Sequence, residues 1–363
     1  MKDVLIVGRG LAATVLMHRL AAGGVSFTAI GVRHLSRSSE VAAGIWNPVV
    51  FKRLTKSWMA ESLIPFLEDF YTACSQRLGV ELITARELIK PFGEDQEKDL
   101  WIKKSKNELS EFLDETMYAA DDPALRHFKL SHGYGKVKKA GNLNMQAFLN
   151  HSEAYFLQQI VDEVFDYSQL KMDAGAVHYK SHTAKHLVFC EGYRVAQNPF
   201  FHWIPLKPAK GEVLTIHAPE LRLRDRIFNR NGFMMDLGEQ CYKVGATYEW
   251  DRLNNDATTE GKNELLSKLG KMVDGSYRIL SHEAGIRPSS IDRRPIIGPH
   301  PVHANLHVFN GLGTKGVMLA PYLADNFVHY LLNAGPLFPE SDVKRFYPLY
   351  ESAQNPKTQT HRS

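Results

Sequence analysis

The sequence Val4-Leu-Ile-Val-Gly8-Arg-Gly10-Leu-Ala-Ala13 sets the fold of the chain that follows it. Its four branched apolar residues predict a central parallel strand that is covered on both faces. Gly8, Gly10 and Ala13 then fit the pattern G-x-G-x-x-G/A, and an apolar helical pattern continues to Leu20. The first glycine permits a tight turn, the second lets a pyrophosphate approach the backbone, and the alanine lets the helix pack close to the strand. The stretch therefore predicts a β-α unit that binds a dinucleotide phosphate at the helix N-terminus.

The second predicted strand lacks a residue that dinucleotide-binding folds usually have. This strand, from Ser26 to Gly31, completes a β-α-β unit of the expected length. An acidic residue is expected near its end, where it would hold the hydroxyls of the adenosine ribose. The chain instead continues Gly31-Val32-Arg33. We therefore expect the ribose to be bound by the backbone or by Arg33 and its neighbours.

The size and composition are those of an ordinary globular protein. The chain has 363 residues, of which 44% are hydrophobic and 23% charged, and this length suffices for two domains or one elaborate domain. Its formal charge of +4 is too small to indicate a nucleic-acid partner. Three widely separated cysteines indicate a reducing compartment, and no apolar run approaches the length of a membrane span. We expect a cytoplasmic protein without a signal peptide or membrane contact, and the oligomeric state stays open.

A β-rich segment in the second half predicts a further layer or domain. Residues 204–252 form short strand-like runs separated by turns, after an α/β start. No metal site is expected. His178, His182 and His186 have the spacing of ligands on one helix face, but the β-branched and aromatic residues around them favour strands.

A second glycine-rich stretch lies near the C-terminus. It begins with Glu283-Ala-Gly-Ile-Arg287-Pro and continues through Arg294-Pro-Ile-Ile-Gly to a predicted strand over 306–309. Asn310-Gly-Leu-Gly-Thr-Lys-Gly then opens a helix. The arrangement repeats the first one, because a strand again delivers a glycine-rich loop to a helix N-terminus. Such an N-terminus could carry the negative charge of a reduced flavin.

These blocks, together with Ala42-Ala-Gly-Ile45 and Val244-Gly-Ala-Thr247, resemble the D-amino-acid oxidase superfamily of flavoproteins, and within it the glycine oxidase and sarcosine oxidase branch. The resemblance implies FAD as the cofactor. It also implies an α/β fold, α+β overall, in which a Rossmann-like domain with a parallel sheet binds FAD and an inserted antiparallel β-rich domain binds the substrate. The FAD-binding domain would consist of residues 1–78, 142–203 and 283–350, the substrate domain of residues 79–141 and 204–282, and residues 354–363 would form a disordered tail.

The resemblance further implies which residues hold FAD, without a covalent link. Gly8, Gly10 and Ala13 would bind the pyrophosphate, and the loop 311–316 would face the isoalloxazine ring. Val164 or a neighbour would contact adenine through its backbone. The other residues expected at the cofactor are Leu11, Ala12, Arg33, Ser38, Ser39, Ala43, Gly44, Ile45, Cys190, Glu191, Gly192, Arg287, Gly311, Gly313, Thr314, Lys315 and Gly316.

Arg287 aligns with the carboxylate-binding arginine of the family. Its planar guanidinium can bind a substrate carboxylate bidentately, or it can pair with a structural carboxylate such as Asp292. The implied reaction is oxidation of a small amino acid or N-substituted amino acid. A neutral amine passes a hydride to flavin N5, the imine hydrolyses to an oxo acid, and molecular oxygen is the electron acceptor. No side-chain base is required, so positioning carries most of the catalysis.

Departures from the family pattern leave parts of the site open. Met234 and Met235 stand where glycine-oxidase-like members have an active-site tyrosine, and Tyr242 or Tyr248 would either substitute or pack as strand residues. Lys315 and the basic loop 51–58 could act at the flavin or face solvent. Two other functions stay open: oxidation of an aminomethyl group on a modified tRNA nucleoside, and flavin binding without amine turnover.

Overall fold

The computed structural model describes residues 1–33, 38–173 and 175–354. The chain divides into two units, each assembled from separate segments. The first unit consists of Met1–Glu40, Leu149–Ala209 and Ile286–Ser363, and the second of Val41–Phe148 and Lys210–Gly285. The sequence predicts a disordered tail over residues 354–363. Of these positions, 355–363 lie outside the described residues.

The described residues form helices α1 to α8 and strands β1 to β18. The helices are α1 (Leu11–Ala22), α2 (Ser38–Val41), α3 (Ala60–Leu78), α4 (Asp95–Ser105), α5 (Met145–Tyr155), α6 (Thr259–Gly270), α7 (Gly316–Leu331) and α8 (Tyr347–Gln354). The strands are β1 (Lys2–Val7), β2 (Phe27–Ile30), β3 (Ile45–Trp46), β4 (Val49–Val50), β5 (Thr55–Lys56), β6 (Ile83–Pro91), β7 (Tyr134–Leu143), β8 (Ile160–Val161), β9 (Leu170–Met172), β10 (Val177–Tyr179), β11 (His182–Phe189), β12 (Ala209–His217), β13 (Arg226–Asn229), β14 (Phe233–Gly238), β15 (Cys241–Gly245), β16 (Arg278–Arg287), β17 (Ile296–Pro299) and β18 (Leu306–Asn310).

The first unit is built on a sheet with the order β17-β18-β11-β1-β2-β8. Strand β1 runs parallel to both β11 and β2, and β18 runs parallel to β11. Residues 4–7 of β1 are buried, as expected for a central strand covered on both faces. The predicted parallel sheet is confirmed. Because parallel strands end at the same edge, the loops after β1, β2, β11 and β18 lie at one edge of this sheet.

The histidines with helix-like spacing lie on strands of this unit. His178 belongs to β10, and His182 and His186 belong to β11. His178 lies 2.7 Å from a carboxylate oxygen of Asp173, and His186 lies 3.1 Å from the ring nitrogen of His307. Among the described residues, no group of three or more His, Cys, Asp or Glu side chains is arranged to hold a metal ion.

The second unit contains an eight-stranded sheet with the order β16-β12-β15-β14-β13-β6-β7-β3. Most of its neighbouring strands are antiparallel, and β13 with β6 is a parallel pair. Its apolar face packs around Leu214, Phe228, Met234, Val244 and Leu269, all buried. The predicted antiparallel β-rich segment is therefore confirmed.

A buried carboxylate connects this sheet to the start of α6. Glu212, on β12, accepts hydrogen bonds from the backbone N–H of Thr258 at 3.0 Å and from its hydroxyl at 2.8 Å. The Thr258 hydroxyl also accepts a bond from the Gly261 N–H and so caps α6. The Lys210 ammonium lies 3.6 Å from Glu212, and both side chains are almost fully buried. Glu212 thus accepts hydrogen bonds at the start of α6 and also balances the charge of the buried Lys210 ammonium.

We expect Glu212→Ala to lower the free energy of unfolding by about 3–5 kcal/mol, because it removes the carboxylate beside a buried ammonium. Chemical denaturation followed by circular dichroism measures this change. Glu260→Ala is the control, since Glu260 is an exposed carboxylate in the first turn of the same helix. It should cost no more than about 1 kcal/mol. Equal losses in the two variants would contradict the role assigned to Glu212.

Candidate functional site

The loop after β1 lies directly against the end of β11. Gly8 has a φ of +121°, and a Cβ at this position would overlap the carbonyl oxygen of Cys190. The N–H of Cys190 donates to the Val7 carbonyl at 2.7 Å, and the N–H of Gly8 donates to the Ile30 carbonyl at 2.9 Å. Only glycine fits this turn, because any side chain would separate the two strand ends.

Helix α1 begins at this turn with an open N-terminus. Gly10 is its N-cap residue and has no side-chain cap, and the first turn contains no acidic residue. Ser39 supplies one external partner, since its hydroxyl accepts the Leu11 N–H at 3.0 Å. The first N–H groups of a helix have no acceptor within the helix, so those of Ala12 and Ala13 are available to a phosphate. The geometry therefore fits the pyrophosphate of a dinucleotide.

The loop 311–316, which opens α7, lies beside this N-terminus. Gly311 and Gly313 have positive φ angles of +73° and +55°. The Asn310 amide donates to the Gly192 carbonyl, and its oxygen accepts the Gly311 N–H, both at 2.8 Å. A Cβ on Gly316 would lie 3.0 Å from the Leu11 side chain. Two helix N-termini therefore meet at the same edge of the sheet.

Lys315 precedes α7 and occupies its N-cap position. Burial, and secondarily the nearby Arg294 guanidinium, lowers the pKa of Lys315 from 10.5 to about 8. A cation at a helix N-terminus adds to the positive potential that the helix dipole produces there. The start of α7 is thus an electropositive environment that favours an anionic group.

Arg287 is the last residue of β16, and the segment after it contacts the glycine-rich loop. The Gly313 N–H donates to the Pro288 carbonyl at 3.2 Å, and a Cβ on Gly313 would lie 3.3 Å from the Ser289 hydroxyl. Asp292, the structural partner considered for Arg287, accepts a bond from Arg345 at 2.9 Å. The structure therefore places the backbone of Arg287 next to the loop that opens α7.

The remaining first-unit residues predicted at the cofactor have mixed environments. Glu191 accepts hydrogen bonds from the Tyr167 hydroxyl and, at 2.7 Å, from the Asn198 amide. Burial raises the pKa values of the Glu191 carboxyl and the Cys190 thiol. Val164 is exposed. Ser38 is partly buried, Gly192 has a positive φ, and Thr314 is exposed.

Four charged residues that the sequence did not single out lie near Arg33 in the structure. Arg9, Arg33, Glu40, Glu153 and Asp162 form an arginine–carboxylate cluster in the first unit. The signal that could have found it is the charge at position 9, because G-x-G loops rarely need a cation between the two glycines. Its partners Glu153 and Asp162 follow more than 140 residues later, so no local pattern identifies them.

The second unit holds the other predicted residues. Gly44 has a φ of +70°, and a Cβ at this position would overlap the Leu143 carbonyl. Ala43 comes directly before Gly44, and Ile45, directly after it, pairs with β7. In the basic loop, Lys56 forms an ion pair with Glu61.

The two tyrosines considered for the substrate differ in environment. Tyr242 is buried in the core of the second unit, and its hydroxyl donates to the Leu221 carbonyl at 2.8 Å. That is the environment of a packed strand residue. Tyr248 is 52% exposed and its ring stacks on Trp250 with 6.1 Å between centroids. The structure thus leaves Tyr248 more accessible than Tyr242.

No helix in the described ranges, 1–33, 38–173 and 175–354, is long and apolar enough to cross a membrane.

Two kinds of known proteins are similar to parts of this chain. The chain is similar to a glycine oxidase of Bacillus licheniformis, with 28% identity over 183 residues, which cover 47% of this chain and 49% of the relative. It is also similar to the tRNA 5-methylaminomethyl-2-thiouridine biosynthesis bifunctional protein of Idiomarina loihiensis, with 28% identity over 127 residues, which cover 34% of this chain and 21% of that protein. The chain thus spans about half of the first relative and about a fifth of the second.

The fold is similar to that of a solved glycine oxidase. The crystal structure of glycine oxidase from Geobacillus kaustophilus superposes with a TM-score of 0.76, covering 94% of this chain and 98% of that chain at 20% identity. Residues 3–329 match the family described as FAD dependent oxidoreductase. This match shows that the chain belongs to the family of FAD-dependent oxidoreductases, and the glycine-rich turn and the two helix N-termini fit that family. Within the family, the chain resembles the glycine oxidase branch.

Proposed function

We propose that this FAD-dependent enzyme oxidises the C–N bond of a small amino acid or N-substituted amino acid. The observation that carries the proposal is the position of Arg287, whose neighbouring residues Pro288 and Ser289 pack on the loop that opens α7. The similarity to glycine oxidases supports the substrate class. Residues 8–13 and 311–316 would hold the cofactor, with the pyrophosphate at the start of α1.

The role proposed for Arg287 is to hold the substrate carboxylate. A guanidinium donates two parallel hydrogen bonds to a carboxylate, and this fixes both the position and the rotation of the substrate. FAD, when bound, supplies a hydride acceptor at N5, with molecular oxygen as the proposed final electron acceptor. The chain contributes orientation, because a substrate that is held by its carboxylate keeps its α-carbon at a fixed distance from Arg287.

Lys315 contributes positive charge at the same loop. Because its pKa is about 8, the ammonium is protonated at neutral pH and loses its proton in mildly alkaline solution. We propose that this charge favours anionic groups at the start of α7, where the dipole of the helix acts in the same direction.

The proposed function is tested by the visible spectrum of the purified protein under anaerobic conditions. Glycine, sarcosine, D-amino acids and proline are added in turn, and at least one should bleach the flavin absorption band. Propionate is the matched control, because it has a carboxylate and no amine, and it should not bleach the band. A flavin that dithionite reduces but none of these amines reduces would contradict the proposal and favour flavin binding without amine turnover.

Oxidation of a tRNA aminomethyl group is the second candidate, because of the similarity to the tRNA-modifying protein of Idiomarina loihiensis. Binding of tRNA that weakens steeply as salt rises would favour this candidate. Bleaching by a free amino acid, without such binding, would favour the first.

Arg287→Ala is expected to raise the KM for carboxylate substrates by about 100-fold, because it removes two charge-assisted hydrogen bonds. FAD content should be unchanged. Steady-state kinetics and the ratio of flavin to protein absorbance measure the two effects. The control is Arg293→Ala, since Arg293 is an exposed arginine six positions away. Unchanged kinetics in Arg287→Ala would remove Arg287 from the substrate site.

Lys315→Met is expected to remove a pH dependence of stability. The folded-state pKa of Lys315 is lowered to about 8 from 10.5, so between these values the unfolded chain binds more protons. The stability contributed by this group therefore rises with pH from about 8 to about 10. Urea denaturation at several pH values should show this rise in the parent protein and a smaller one in Lys315→Met. The exposed Lys344→Met variant should behave like the parent, and identical profiles for all three would contradict the assignment.

A further inference from the structure

The end of β2 lacks the acidic residue that usually binds the adenosine ribose. Gly31 follows β2 at this place, and a Cβ there would lie 3.2 Å from the Arg9 side chain and 3.3 Å from the Gly8 backbone. These contacts are tight, so a side chain at position 31 would require its neighbours to shift by a few tenths of an ångström. Because Gly31 has no side chain, a carboxylate that binds the ribose must come from another element.

Arg9 occupies this place and holds two carboxylates there. Its guanidinium donates to the Gly31 carbonyl at 3.2 Å and to Asp162 at 2.8 Å, and it forms an ion pair with Glu153. The Arg9 side chain is only 4% exposed. Because Arg9 lies between Gly8 and Gly10, its backbone is part of the pyrophosphate-binding turn, and its side chain is fixed relative to that turn.

Arg33 holds Glu153 from the other side. It donates to Glu153 at 3.1 Å, to Asn150 at 2.6 Å and to Glu40 at 3.2 Å. Glu153 thus bridges two arginines, one in the loop after β1 and one in the loop after β2. In dinucleotide-binding folds the ribose lies between these two loops, because the first binds the pyrophosphate and the second binds the ribose hydroxyls.

We propose that Glu153, on α5, is the ribose-binding carboxylate of this protein, with Arg9 and Arg33 as its positioning residues. The proposal rests on FAD binding and is independent of which amine is oxidised. The ribose 2′- and 3′-hydroxyls of the adenosine half donate to Glu153, in place of the acidic residue that β2 lacks.

Glu153 retains the capacity to accept these bonds. An ionised carboxylate offers about four acceptor positions, and each arginine uses one. The side chain is 35% exposed, so a ligand can reach it. Burial by itself would raise the pKa of Glu153, but the hydrogen bonds from Arg9 and Arg33 hold this pKa below its ordinary value. The carboxylate is therefore ionised at neutral pH.

The cluster also indicates that an unphosphorylated ribose is preferred. An arginine after the second strand is typical of sites that bind a 2′-phosphate. Here Nε of Arg33 donates to Glu40, and Nη1 donates to Asn150 and Glu153. Three carboxylates against two guanidiniums give the cluster a net negative charge, which repels a phosphate.

The test measures FAD release from the full-length holoenzyme, followed by the rise in flavin fluorescence, with ADP and 2′-deoxy-ADP as competitors. The parent protein should bind ADP about 10-fold more tightly than 2′-deoxy-ADP, because the deoxy compound lacks one donor to a charged acceptor. Glu153→Gln should bind FAD about 10- to 100-fold more weakly and should lose this preference. A merely structural role would weaken both nucleotides equally and leave the preference unchanged.

Asp162→Asn is the matched control, because Asp162 also binds Arg9 but its side chain is 75% exposed. It should weaken FAD by no more than about fivefold and keep the preference for ADP. Circular dichroism of both variants verifies that the chain is folded. The proposal is overturned if folded Glu153→Gln still prefers ADP to 2′-deoxy-ADP, or if the parent protein binds adenosine 2′,5′-bisphosphate more tightly than ADP.

Discussion

The close approach of the β1 turn to the end of β11 is the constraint on which the first unit depends. Gly8 permits it, because a side chain at this position would overlap the Cys190 carbonyl. With the two strand ends in contact, the loop after β1 and the loop after β11 open at one edge of the sheet. The loop after β18 joins them through the bond from Asn310 to the Gly192 carbonyl. A larger residue at position 8 would therefore disturb all three loops, and not only the turn after β1.

Helix N-termini also contribute positive potential at this edge of the sheet, in addition to charged side chains. Helices α1 and α7 begin side by side, with Gly316 against Leu11. The dipoles of these helices favour anions at their N-termini without requiring a charged side chain. Lys315 adds a cation whose pKa is lowered by burial to about 8, so the potential at the start of α7 varies with pH in mildly alkaline solution.

At the ends of β2 and β8 in the same unit, the charge pattern is the reverse of the one that is usual in dinucleotide-binding folds. Where a carboxylate at the end of β2 is common, this chain has Gly31 covered by Arg9, and carboxylates arrive from α5 and from the residue after β8. Burying the Arg9 guanidinium costs solvation free energy, and the hydrogen-bonded acceptors around it compensate this cost. The charge of Arg9 in the turn after β1 is thus matched by carboxylates on elements distant in the sequence.

The sequence by itself determined the parallel sheet, the glycine-rich turn at Gly8, the second glycine-rich loop and the β-rich segment. These features follow from the hydrophobic periodicity of a few neighbouring residues and from backbone conformations that only glycine adopts readily. The tertiary structure alone decided that Tyr242 directs its hydroxyl to the Leu221 carbonyl within a core, and that Arg9 meets Asp162, 153 residues later. The physical reason is that charge pairing and burial depend on which distant segments the folded chain brings together, and no local pattern contains that information.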